Sequence, residues 1–229
     1  MKFIIVGLGN FGASLAEKLT ASGNEVIGID SNLEKVEIFK EKISHTIQMD
    51  ATDELTVDGL PLKDAEIVII AIGEDQGASL MATALFKNFG VKRLISRAIN
   101  PLHEKVLKAI GVDEIVHPEE ETAERWAKKL CINNVVDSFE LDDIFSIIEA
   151  NVPEEHIGKT IEEVGFRQRY NLLILTTLKT SKVESLVGEN QTEVKAKSIA
   201  KPDQILEKND ILVLYGAKPD FESFLKLKK

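Results

Sequence analysis

Gly7-Leu8-Gly9-Asn10-Phe11-Gly12 spaces three glycines as G-x-G-x-x-G, and Asp30 stands 18 residues beyond Gly12. Each of these residues has a physical job. Gly7 permits a tight turn, Gly9 presents no Cβ to a pyrophosphate, and Gly12 lets a helix pack closely on a sheet. The N-terminus of that helix brings unpaired N–H groups and a partial positive charge to the same spot, which suits a phosphate. A carboxylate at Asp30 accepts hydrogen bonds from both hydroxyls of a ribose and repels a 2′-phosphate, so NAD(H) or another adenosine nucleotide is expected and NADP is not. The glycine spacing alone also occurs in Gly-rich turns of other α/β proteins, so its context decides.

That context is a strand, the motif and a helix, with no linker between them. Lys2-Phe3-Ile4-Ile5-Val6 is an apolar run suited to a buried parallel strand, and Phe11, Leu15 and Leu19 then recur at helical spacing. A second apolar run, Val26-Ile27-Gly28-Ile29, ends at Asp30. Ser31 is a good N-cap for a helix of about ten residues. Residues 43–49 predict a third strand, ending at Asp50-Ala51-Thr52. Ligands of open α/β sheets sit outside the carboxyl ends of the strands, so this turn faces the same crevice as Gly7 and Asp30. It either contacts an adenine or simply caps the next helix through Thr52 or Asp53.

Residues 65–72 are a near-continuous apolar strand stopping at Gly73-Glu74-Asp75, and Met81, Leu85 and Phe89 share one face of the helix that follows, before Gly90. A fifth strand at 93–96 delivers Arg97 to the crevice. It is the one cation placed at a strand's carboxyl end in this half, either for phosphate or as a solvated surface residue. Pro101 opens the next helix, Gly111 closes it, and Glu114-Ile115-Val116 is a sixth strand. Ala123, Trp126, Ala127 and Leu130 then form the apolar stripe of a crossover helix, which either caps the sheet or lies across a partner subunit.

The pattern changes near Val135. Ile148, Ala150 and Val152 alternate with Glu149 and Asn151, the period of a half-solvated strand. A turn at 153–158, one helical turn at 160–164 and strands at 171–178, 183–187 and 211–215 follow. The chain closes on a helix with Phe221, Phe224 and Leu225 on one face. The expected fold class is α/β: a Rossmann-type, doubly wound, parallel six-stranded sheet over residues 1–134, crossover helix included, followed by a small α+β domain over 135–229.

Composition narrows the function. The 229 residues carry a formal net charge of −10, and this acidic balance argues against a partner in nucleic acid, whose phosphates demand a basic surface. The longest apolar runs fall far short of the roughly 18 to 20 residues that span a bilayer. Met1 stands one residue from the first strand, which leaves no room for a signal peptide. Cys131, the one cysteine, forms no intrachain disulfide and fits the core end of a helix. A cytoplasmic protein is the expectation. His45, His103, His117 and His156 have no metal-binding spacing, and no G-x-S-x-G occurs. The fingerprint alone also fits a small NAD-dependent oxidoreductase, but the residues after 134 look too few and too strand-rich to bring a substrate and an acid/base to a nicotinamide.

Read together, the glycine loop of residues 3–12, Asp50-Ala51-Thr52, residues 69–73 and Lys108 through Glu119 resemble the RCK proteins, the regulatory subunits of TrkA/KtrA type. Residues 157–164 and 209–216 resemble the C-terminal domain of that family. The resemblance implies a cytoplasmic ligand-sensing subunit and not an enzyme. It implies a Rossmann domain that binds NAD(H), ADP or ATP, and homodimers assembled into an octameric ring. That ring sits against an integral membrane potassium-translocating subunit of TrkH/KtrB type, although a relative could serve another ion. It places Gly7, Gly9, Asn10, Phe11 and Gly12 at the phosphates, Asp30 at the ribose, Asp50 and Ala51 near the adenine, and Ile72, Gly73 and Arg97 on the ligand. Glu119 falls where some relatives bind a cation or γ-phosphate, and equally suits the first turn of a helix. Asn10 replaces an arginine of relatives that discriminate ATP from ADP, so NAD(H) or ADP-like ligands gain ground. Some relatives bind a cyclic dinucleotide in the C-terminal domain; Arg167 matches a residue used there, whereas Leu173 stands where a polar contact would be expected.

Overall fold

The computed structural model describes residues 1–131, 134–184 and 190–225. Packing divides the chain into two compact units, Met1–Glu120 and Glu121–Lys229. In the first, β1 (Lys2–Val6), α1 (Asn10–Ala21), β2 (Glu25–Asp30), α2 (Leu33–Phe39), β3 (His45–Gln48), α3 (Glu54–Asp58), β4 (Ile67–Ile70), α4 (Gln76–Asn88), β5 (Leu94–Arg97), α5 (Pro101–Ile110) and β6 (Glu114–Val116) alternate, and α6 (Pro118–Cys131) follows. The six strands are parallel in the order β3-β2-β1-β4-β5-β6. This is the expected doubly wound sheet, with its order reversing between β1 and β4.

From Phe3 to Val6 β1 is apolar at every position because both of its faces are covered there. Ile4 and Val6 join one buried layer with Ile70, Ala82 and Phe86. Phe3 and Ile5 join the other, with Ala13, Ala16 and Ile69. On that side α1 buries only small residues, Gly12, Ala13 and Ala16, while Phe11, Leu15 and Leu19 pack half-buried along the edge. Small side chains bring the helix axis close to the sheet, and that closeness sets the position of the loop before it.

Three local expectations are corrected. The buried face of α4 is Ser79, Ala82, Thr83 and Phe86, whereas Met81 is 62% exposed. Leu85 and Phe89 of the expected face still pack half-buried against the same core, and Met81 is the residue that turns away from it. Ser31 does not cap α2; Asn32 does, its Oδ1 accepting the Glu34 N–H at 2.8 Å. Asp30 draws the Asn32 N–H at 2.9 Å and Gln48 donates to the Ser31 carbonyl, which fixes the turn before the helix, and the helix is seven residues long and not ten. Of the alternatives for the next cap, Asp53 is the one used, accepting from Leu55 at 3.0 Å.

The second unit contains β7 (Val135–Glu140), β8 (Phe145–Asn151), a 3₁₀ turn at Glu154–His156, α7 (Ile161–Val164), α8 (Phe166–Tyr170), β9 (Leu173–Glu184), β10 (Asn190–Ile199), β11 (Asp210–Ala217) and α9 (Lys218–Leu225). Its sheet is antiparallel in the order β10-β9-β11-β8-β7. Val135, Ile148, Ala150 and Val152 face a core closed by Phe166, Phe221, Phe224 and Leu225. Thr160 and Glu163 form a reciprocal capping box on α7. The short α8 has no periodicity to announce it, being framed by the left-handed residues Gly165 and Asn171. β9 runs past the expected end at 178 because it pairs with both β10 and β11. The strand expected at 183–187 lies largely outside the described residues, as does the Cys131 side chain.

The division between the units falls after Glu120, in the first turn of α6, whereas the boundary expected at 134/135 counts the whole helix with the first domain. Arg125, further along α6, pairs with Asp137 of β7. Trp126 is 53% exposed, and Ala123, Ala127 and Leu130 are exposed with it.

Phe86 is fully buried, so Phe86→Ala is expected to cost about 3–5 kcal/mol in urea unfolding. Met81→Ala is expected to stay within about 0.5 kcal/mol of wild type. The reverse order would restore the face expected from sequence.

Candidate functional site

Because the six strands run the same way, Val6, Asp30, Gln48, Ile70, Arg97 and Val116 end at one edge of the sheet. The glycine loop turns there. Gly7 has φ +99°, in the left-handed region that favours glycine, and its N–H donates to the Ile29 carbonyl at 2.7 Å. A Cβ on Gly7 would lie 3.0 Å from the Ile72 amide nitrogen. On Gly12 it would overlap the carbonyl oxygen of Gly7 and crowd Ala71. On Gly9 it would meet nothing within 4 Å, because Gly9 faces open space.

Gly9 is also the N-cap of α1, and no side chain caps this helix. Asn32, Asp53, Asp75 and Asn100 cap α2, α3, α4 and α5. The first-turn N–H groups of α1 are thus left to whatever occupies the cavity beside them.

That cavity has a volume of about 410 Å³. All of the residues singled out from sequence line it except Gly12, which supports the loop from behind. Asp30 accepts the Leu8 N–H at 2.8 Å through Oδ2 and the Asn32 N–H at 2.9 Å through Oδ1. Each oxygen keeps acceptor capacity for a further donor. Asp50 Oδ1 accepts both the backbone N–H and the hydroxyl of Thr52, at 2.9 and 2.7 Å. These bonds hold its carboxyl below the usual aspartate range. Arg97 lies over Gly73, where any side chain would collide with its guanidinium, and its Nη2 donates to Glu119.

Arg97 ends β5 as expected, and a second cation, Lys35 from the first turn of α2, also lines the cavity. Its Nζ stands 3.6 Å from Glu74 and 4.0 Å from Asp30. Among acids in a short helix it reads as a surface lysine, and only the fold of the β2–α2 turn aims it inward. Outside the cavity, His103 is buried; its Nδ1 accepts the Ile99 N–H at 3.3 Å, and burial pushes its pKa down. Among the described residues no cluster of histidine, cysteine or carboxylate could hold a metal ion. In the second unit Arg167 and Leu173 are both exposed.

A parallel sheet of this order with an uncapped glycine turn at its switch point defines a dinucleotide-fold domain. The chain belongs to the TrkA-N domain family, whose model matches residues 3–118. It is 35% identical to the Ktr system potassium uptake protein C of Bacillus subtilis, over 98% of this chain and 96% of that one. With protein A of the same system and organism it shares 32% identity, over 97% and 95%. Among solved structures it resembles the GsuK RCK domain, with a TM-score of 0.64 and 21% identity over 99% of this chain. It also resembles the GsuK channel bound to NAD, with a TM-score of 0.64 and 19% identity. The chain spans about half the length of the first of these and 39% of the second. At these identities the likeness is one of fold, and it covers both units.

The two glycines separate by experiment. Gly12→Ala is expected to lower the thermal midpoint by several degrees, a loss of about 1–3 kcal/mol from overpacking. Gly9→Ala is expected to melt within a degree or two of wild type, since its added methyl meets open space.

Proposed function

We propose that this protein is the cytoplasmic, nucleotide-binding regulatory subunit of a membrane potassium transporter or channel. In this reading NAD(H), ADP or ATP is a reporting ligand and not a substrate. The observation that carries the reading is the open N-terminus of α1 at the head of a cavity with an acid at the ribose position. Gly7, Gly9, Asn10, Phe11 and Gly12 take the phosphates, Asp30 the ribose, Asp50 and Ala51 the adenine side, and Ile72, Gly73 and Arg97 the far end, with Glu119 beside Arg97. Asn10 brings a neutral amide to the phosphates, which favours NAD(H) or ADP over ATP.

Among the described residues the lining contains no histidine, the side chain that most often serves as a general acid or base. Relatives similar over nearly the whole chain are named as potassium uptake proteins. Both facts favour a sensor over an oxidoreductase. Among the described residues no helix is long and apolar enough to cross a membrane, so the ion path is assigned to a partner of TrkH/KtrB type. Residues 1–134 sense and residues 135–229 form the second domain, in homodimers that build an octameric ring. The ligand biases the pore by binding one ring conformation more tightly than another.

Calorimetry with NADH, ADP, ATP and NADP tests the site. Micromolar binding of NADH or ADP is expected, with NADP at least about tenfold weaker because of Asp30. Gly9→Val should abolish it while the protein stays folded. An absence of binding to any of the four would remove the reading, and steady NADH oxidation over a panel of carbonyl substrates would replace it with the enzyme.

Light scattering tests the assembly. A dimer or larger species is expected at micromolar concentration, reduced in mass by Trp126→Glu; a monomeric wild type would overturn the ring.

A further inference from the structure

Both cations that reach the cavity are already engaged by carboxylates. Lys35 faces Glu74 and Asp30, and Arg97 donates to Glu119. Asp50 and Asp75 line the same walls, so negative side chains outnumber positive ones there. An entering phosphate meets a repulsive field and a guanidinium whose charge is matched.

The geometry at Arg97 is lopsided. Its side chain is 17% exposed, whereas that of Glu119 is 65% exposed. Its Nε–H is buried with no acceptor among the described residues. Glu119 therefore satisfies one edge of the guanidinium and leaves a buried donor unmet, a costly arrangement that an added acceptor would relieve. A phosphate has oxygens enough to engage the fork and that third donor together. The exposed Glu119 can swing into water with little loss of solvation.

We propose that Glu119 is a built-in competitor for Arg97, and that a ligand phosphate gains the guanidinium by displacing it. This rests on the nucleotide reading above and gives Glu119 its role there: paired with Arg97, it lowers affinity for the ligand. Glu119 stands in the first turn of α6.

Calorimetric titration of the full-length protein with NADH and with ADP tests this in wild type, Glu119→Gln, Arg97→Ala and the double variant. Glu119→Gln is expected to bind about threefold to tenfold more tightly than wild type, the scale of freeing one partner of an ion pair. Arg97→Ala should bind more weakly, and adding Glu119→Gln to it should bring no gain. Binding by Glu119→Gln alone would also support the competitor. Equal or weaker binding by Glu119→Gln, with wild type still binding, would overturn the competitor and leave the nucleotide reading standing. A gain of the same size in the Arg97→Ala background would also overturn it, showing that only the general field had changed. Silence from all four proteins removes both readings together.

Discussion

The carbonyl oxygen of Gly7 occupies the space that a side chain would take on Gly12, and much of the site depends on that contact. It allows α1 to begin directly beside the end of β1, so the chain turns through Gly7 in a left-handed conformation and enters the helix at Asn10. With Gly9 as its N-cap, that helix has no side chain of its own to satisfy its first turn. A steric requirement of a few atoms thus creates a polar opening, and the parallel sheet supplies the rest by bringing every strand's carboxyl end to one edge.

Electrostatics acts on that frame in two ways. Asp30 and Asp50 are part of the scaffold as well as of the proposed site: one binds the N–H groups of Leu8 and Asn32, the other ties the Thr52 turn. Their positions are therefore set by backbone hydrogen bonds and need no ligand to order them. Lys35 and Arg97 are different: among the described residues their charged groups are met by side chains, Glu74 and Asp30 for the one and Glu119 for the other. In an acidic chain, an anion site whose cations are matched by nearby carboxylates discriminates by competition and not by bulk attraction.

The second unit shows a simpler economy. Its antiparallel sheet buries one face against α7, α8 and α9, and alternation along β8 and β11 follows from that. Phe139, Ile144 and Phe145 remain exposed on β7, β8 and the turn between them. The stacked His156 and Phe224 rings, 5.4 Å apart, link the 3₁₀ turn to the last helix, a contact between distant segments.

Ile72, Gly73 and Glu119 were singled out through the family resemblance; the doubly wound architecture and the glycine loop were legible in the linear chain itself. They depend on short-range rules: a strand buried on both faces must be apolar throughout, and a loop that allows no Cβ must be glycine. Which face of α4 is buried was decided by the sheet it meets, since Met81 and Phe86 are equally apolar and only packing chooses Phe86. The cap of α2 passed from Ser31 to Asn32 because Asp30 and Gln48 claim the neighbouring backbone groups. The inward aim of Lys35 and the pairing of Arg97 with Glu119 belong to the tertiary structure alone. Glu74 and Glu119 come from other β–α units than Lys35 and Arg97, and an ion pair between residues so separated leaves no periodic trace in the amino-acid order.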